Sequence, residues 1–174
     1  PGAELYAVAV KPMSMFLNKL PPASAISGPV CIIGAGAAGA ELALAFRHRY
    51  GASADIHLIG RSERVLPTRS RHASRLLTRA LKQNNITLHL GKAVSRITAA
   101  DIHLFDKTKF AYAHIFLVTS ARPADWLSDL TVTKDADGYI QISSSLQSVS
   151  NKHIFAAGDI ASILGHPREK AGVF

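Results

Sequence analysis

The stretch Val30-Cys31-Ile32-Ile33-Gly34-Ala35-Gly36-Ala37-Ala38-Gly39-Ala40-Glu41 constrains this chain more than any other. Four apolar residues in a row predict a short strand buried on both faces, as in a covered parallel sheet. A glycine turn follows, and the alanine-rich segment after it predicts a helix that begins at once. The turn fits G-x-G-x-x-G, in which each glycine has its own task. Gly34 permits the tight turn, Gly36 leaves the backbone open to a pyrophosphate, and Gly39 lets the helix pack close to the strand. The N-terminus of such a helix offers unbonded N–H groups and a partial positive charge to phosphates. A G-x-G-x-x-G alone is weak evidence; the strand before it and the helix after it give it weight. The competing reading is a tight strand-to-helix turn that holds no ligand.

From Val30 onward, strands and helices alternate. Helix 37–50 is closed by Gly51, Asp55–Gly60 is the second strand, and a charged helix spans roughly 69–84. Ile86–Leu90 is the third strand, bounded by Gly91. This order implies right-handed crossovers and a parallel sheet. The period then changes. Segments 93–98, 101–106 and 109–113 alternate apolar and polar residues with small polar gaps, which predicts an antiparallel meander. His114–Thr119 is apolar again and returns to the parallel sheet, while Asp137-Gly138 makes a turn before strand Tyr139–Ile142. The fold expected is α/β and Rossmann-like, with three layers, a parallel sheet and an antiparallel β-meander.

Ahead of the glycine turn the pattern is looser. Residues 1–10 read as a strand or linker, and 11–20 as a helix with Pro12 in its first turn. Met13, Phe16, Leu17 and Leu20 share one face of that helix and are expected in the core; a membrane-surface or partner helix is the sharper alternative. The Pro- and Ser-containing segment 21–29 is a linker. The chain thus divides into a flank with one short helix at 1–28, a nucleotide-binding core at 29–123, and a closing segment at 124–174.

Bulk properties narrow the classes. The chain has 174 residues, 48% hydrophobic and 18% charged, enough for one globular domain with a sizeable core. It starts at Pro1 without methionine and stops at Phe174 without a terminating signal, so it is read as a piece of a longer protein. Its formal charge of +8 suits an anionic partner such as a nucleotide. Cys31 is the one cysteine, which excludes an internal disulfide and any C-x-x-C dithiol chemistry in this segment. With no signal-peptide pattern and no apolar run of membrane length, a cytoplasmic location is the default, with peripheral attachment to the inner membrane face as a variant. The eight histidines show neither H-E-x-x-H nor a cysteine at metal spacing, so no metal is expected. His57, His89, His103, His114 and His153 fall in predicted strands as packing or surface residues. No acid–base constellation is visible.

The order glycine turn, meander, Thr119-Ser120-Ala121-Arg122-Pro123, then Ile154-Phe155-Ala156-Ala157-Gly158-Asp159 resembles the pyridine nucleotide-disulfide oxidoreductase superfamily of flavoproteins. The likeness is strongest to its type II NADH dehydrogenase-like members. His166–Phe174 is similar to the tail of that group, including members fused to selenide, water dikinase. In this superfamily a nicotinamide-binding domain is inserted into a flavin-binding one, and hydride passes from NAD(P)H to FAD. The resemblance implies that Gly34, Gly36, Ala37, Ala38 and Gly39 hold the pyrophosphate of NAD(P)H. It places Glu41 near the nicotinamide, against the plainer reading of a first-turn carboxylate favoured by the helix dipole. It puts Ala121 in the lining of the nucleotide pocket, with Ser120 departing from the usual Thr-Gly-Ala pattern. Gly158 and Asp159 match the motif whose acid bonds the flavin ribityl chain. Only one G-x-G-x-x-G occurs in the chain, so FAD is expected to bind largely through the rest of a parent flavoprotein, and the isolated segment is expected to be inactive.

Coenzyme choice is read at the end of the second strand, where an acid favours the NAD ribose and an arginine the NADP phosphate. Here stand Gly60-Arg61-Ser62-Glu63-Arg64. The acid is missing, and Arg61 and Arg64 flank the position, which weighs toward NADP(H). Arg71, Arg75 and Arg79 fall at i, i+4, i+8 on one helix face, with Arg64, Arg69 and Lys82 near; a solvated face is the plain reading, and a partner or an anionic surface the sharper one. No aromatic residue interleaves with them, which counts against nucleic acid. The alternative to an oxidoreductase domain is a nucleotide-sensing or interaction module that kept the fold without hydride transfer.

Overall fold

In a computed structural model, which describes residues 1–11, 13–118, 123 and 125–166, the chain forms two compact units, Pro1–Thr119 and Ser120–Phe174. The first unit runs α1 (Ala3–Tyr6), β1 (Val8–Ala9), α2 (Met13–Lys19), β2 (Val30–Ile33), α3 (Ala37–Tyr50), β3 (Ile56–Ile59), α4 (Arg71–Gln83), β4 (Ile86–His89), β5 (Val94–Ile97), β6 (Asp101–Leu104), β7 (Lys109–Ala111) and β8 (His114–Leu117). Five strands form a parallel sheet in the order β1-β8-β2-β3-β4. The other three, β5-β6-β7, form the antiparallel meander. The α/β fold with parallel sheet and meander is the one the alternation predicts.

Residue alternation in β2 makes the layers. Val30 and Ile32 face the helices, where they join Ala40, Ala43 and Phe46 of α3, Phe16 of α2 and Phe116 of β8. The Phe46 and Phe116 rings meet edge to face at 4.7 Å. Cys31 points the other way and packs with Ile59, Ile115 and meander residues Ile97, Ile102 and Leu104. Burial, with the Asp55 charge adding to it, pushes the Cys31 thiol up to about 12, so it stays protonated and serves as a packing residue. One cation ties the helix ends together. Arg47 donates to the carbonyls of Gly51, Ala52 and Ala54 beyond α3 and of Asn84 and Asn85 beyond α4.

The connectivity sets where a ligand can sit. From β2 the chain steps outward through α3 and α4 to β3 and β4. It then passes through the meander and returns to β8 on the other side of β2. The carboxyl ends of β2 and β8 therefore flank a topological switch point, where open α/β sheets bind their ligands.

Three local expectations change. Residues 1–10 are not simply a strand or linker, because Ala3–Tyr6 closes one helical turn, with Tyr6 N–H to Gly2 C=O at 3.1 Å, before β1 forms. Among the described side chains of α2 only Phe16 is buried. Met13 is 54% and Leu17 58% exposed, since this short helix lies against β1 at the sheet edge and drives one ring into the Phe46–Phe116 cluster. His153 sits in a turn rather than a strand, its N–H bonded to Asn151 Oδ1 at 3.0 Å. Pro12 and the segments 119–122 and 167–174 lie outside the described residues.

In the second unit, β9 (Ile140–Ile142) pairs in parallel with β10 (Ala161–Ile163) over a core of Leu127, Ile140, Ile142, Ala156 and Ala161. The turn expected at Asp137-Gly138 is present. Gly138 takes φ +90°, and the Asp135 carboxylate accepts from the Asp137 and Tyr139 N–H groups at 3.0 and 2.9 Å.

Candidate functional site

The glycine turn is tied to the strand ends on both sides. Gly34 N–H donates to Ile59 C=O at 2.8 Å, and Val118 N–H donates to Ile33 C=O at 2.9 Å. Gly34 adopts φ +125°, a backbone that a side chain would strain. Gly36 is the N-cap of α3 and carries no side-chain cap, and Ala40 N–H bonds back to its carbonyl at 3.1 Å. The N–H groups of the first turn thus face outward with no internal helix partner. Gly36, Ala37 and Ala38 are exposed, whereas Gly39 is buried.

The second and third glycines of the motif answer to different neighbours. A Cβ on Gly36 would meet nothing within 4 Å, so the space above the turn is open. A Cβ on Gly39 would stand 1.7 Å from Gly34 O, so this glycine lets the helix close onto the turn. Gly39 serves the fold, while the freedom at Gly36 serves something approaching from outside.

The end of β3 holds a contact that sequence reasoning missed. A Cβ on Gly60 would lie 2.5 Å from the Ala35 methyl. The acid is therefore missing from position 60 for a steric reason: Ala35 inside the glycine motif fills the room its stem needs. The signal was an alanine, rather than glycine, directly after Gly34. Of the two flanking cations, Arg61 is exposed, and among the described residues no hydrogen bond or ion pair engages it. Arg64 is turned back on its own loop, donating to Arg69 C=O at 3.0 Å and to Pro67 C=O. The Glu63 carboxylate lies over the Gly91 backbone just past β4.

Glu41 is exposed and is the fifth residue of α3; the first turn contains no acid, so the first-turn dipole reading does not apply. Ala121 lies outside the described residues. Gly158 opens a 3-10 turn in the second unit with φ +69° and open space at its Cβ position. Asp159 is half-buried and has an interaction partner within the chain. On the meander side, His57 Nδ1 and His89 Nε2 are hydrogen-bonded at 2.9 Å, His57 Nε2 meets Asp55 at 2.9 Å, and both rings stack on Phe110. Burial, then the neighbouring His57, holds the His89 pKa below its ordinary value. These two histidines are packing residues, as expected.

Among the described residues no helix is long and apolar enough to cross a membrane. The sequence profile of the pyridine nucleotide-disulphide oxidoreductase family matches residues 11–171. No curated protein matches the chain. The fold is shared with several solved structures. NDH2 from Plasmodium falciparum in complex with NADH is 17% identical, with a TM-score of 0.72 over 93% of this chain and 41% of that one. The water-forming NADH oxidase of Lactobacillus brevis, bound to NADH, is 26% identical, with a TM-score of 0.78 over 93% of this chain and 36% of the oxidase. An engineered NADPH oxidase made from it and bound to NADPH is 25% identical, with a TM-score of 0.76 and the same coverage of 93% and 36%. The chain thus spans well under half the length of these relatives.

Proposed function

As the chain belongs to the pyridine nucleotide-disulphide oxidoreductase family, we propose that its first unit is the nicotinamide-nucleotide domain of a flavin-dependent oxidoreductase. The observation that carries this reading is the uncapped N-terminus of α3 beneath open space at Gly36, at the switch point between β2 and β8. The outward N–H groups of Ala37 and Ala38 hold the dinucleotide pyrophosphate, with the helix dipole adding to the attraction. Gly34 and Gly39 keep the turn in that shape. Glu41, exposed on the same helix, lies toward the nicotinamide end. A bound flavin supplies the hydride acceptor. It is held by Gly158-Asp159 together with residues of the parent protein outside this chain, and the segment alone has no turnover.

NADP(H) is the coenzyme. The engineered NADPH oxidase differs from its NADH-bound parent by five substitutions. Four of them turn consecutive Asp-Ala-Met into Ala-Arg-Ser, and a proline five residues further on into arginine; the fifth turns a glycine into alanine. This chain has Gly60-Arg61-Ser62 with Pro67 at the same spacing, so it already carries the small residue, the arginine and the serine. Arg61 pairs with the 2′-phosphate as a charge-assisted fork, and Ser62 adds a hydroxyl. The protein works in the cytoplasm.

The test is anaerobic mixing of the FAD-loaded parent protein with NADPH or NADH. The oxidised flavin band is expected to bleach with either, and faster with NADPH. A flavin that neither coenzyme reduces, in a protein that binds them, would leave the nucleotide-sensing reading in its place.

A further inference from the structure

The predicted cationic face of α4 is not a featureless surface. It walls a groove of ≈ 600 Å³ whose lining includes Arg64, Arg71, Arg75, Arg79 and Lys82, with Glu63 as its one carboxylate among the described residues. Arg71, Arg75 and Arg79 are separated by one helical turn each, so the row extends about 12 Å along the axis. All three and Lys82 are exposed, and among the described residues no ion pair neutralises any of them. The first turn of α4 contains no acid to relieve the charge near the helix N-terminus. Like charges one turn apart cost helix stability. The backbone does not need this arrangement, because the helix is already capped by Ser70 Oγ, which accepts from Ala73 N–H at 3.1 Å. It is also anchored by buried Ser74, whose hydroxyl donates to Val65 C=O at 2.6 Å.

We propose that this groove is a second anion site, separate from the glycine turn, that takes a polyphosphorylated small molecule of nucleotide size. Its volume lies in the range of small-ligand pockets. Several cationic residues line one concavity, which suits clustered phosphates. The exposed guanidiniums offer planar forks to phosphate oxygens, and Lys82 adds a point charge. The groove lining contains no aromatic side chain on which a base could stack, which disfavours a single-stranded nucleic acid. Leu90 is the one hydrophobic residue of the lining, and the aliphatic stems of the arginines and Lys82 supply the rest of its apolar surface. The groove has none of the three motif glycines and not Arg61, although Glu63 and Arg64 of its lining belong to the loop that carries Arg61.

Calorimetric titration of the full chain with sodium tripolyphosphate at low ionic strength tests it. One-to-one saturable binding is expected. The double variant Arg75→Gln/Arg79→Gln should weaken it at least tenfold and leave NADPH binding in place, whereas Gly36→Val should leave tripolyphosphate binding unchanged. Unchanged melting of the double variant confirms that the fold is intact. Absence of saturable binding, or equal loss in Gly36→Val, overturns the proposal. So does tighter binding of single-stranded oligonucleotide or phosphatidylserine vesicles with the same arginine dependence. Failure of NADPH to bind, with tripolyphosphate retained, would sink the coenzyme reading alone.

Discussion

The first unit offers anions two very different surfaces. At the start of α3 the attraction comes from backbone N–H groups and the helix dipole, on a turn of glycines and alanines with no charged side chain. Along α4 it comes from arginine and lysine side chains over an ordinary capped helix. The first surface depends on shape: one Cβ in the wrong place closes it or breaks the turn. The second depends on charge: it tolerates changes of shape and responds to salt. A single domain can thus present a geometrically selective anion cradle and a diffuse one, each with its own sequence signature.

This contrast can be broken at several points. The largest effect is expected from Gly39→Val. The new side chain begins 1.7 Å from Gly34 O, so either the turn or the helix must move. A loss of about 3 kcal/mol in denaturant unfolding is expected, together with loss of nucleotide binding. Wild-type stability in this variant would show that the tight helix–strand approach is not required. Next, Arg61→Ala should weaken NADPH about tenfold and NADH hardly at all, as removal of one charge-assisted contact to phosphate predicts. An equal loss for both coenzymes would move Arg61 away from the 2′-phosphate. The smallest effect separates the surfaces by salt. Raising ionic strength about fourfold should weaken tripolyphosphate several-fold, and NADPH by about twofold. Equal salt slopes would erase the distinction drawn between them.

Much of this was legible in the chain itself because its signals are local. The run Val30–Ile33, the glycine spacing and the switch from helical to alternating period each point to one element, and each element forms where expected. What escaped depends on contacts distant in sequence. Ala35 and Gly60 are 25 residues apart, and only their approach shows why no acid stands at position 60. Arg61 and Arg64 look equivalent in sequence, yet the loop carbonyls of Pro67 and Arg69 take one of them. Met13 and Leu17 fit the helical stripe but stay exposed, while Phe16 and Leu20 reach the core. Strand β10 carries no period of its own, and its pairing with β9 bridges a long stretch of chain. The arginine row was visible, while the groove beneath it required Leu90 and Glu63 to be folded against α4.

The central claim is that the turn from Gly34 to Gly39 holds a nicotinamide dinucleotide. Its most direct test is calorimetric titration of NADPH into the wild-type chain and into Gly36→Val. A Cβ at this position meets no protein atom within 4 Å, so the variant should melt like the wild type. The account predicts saturable binding to the wild type and at least a hundredfold weaker binding to the folded variant. Equal affinity in the two, or no binding to either at millimolar coenzyme, would contradict it.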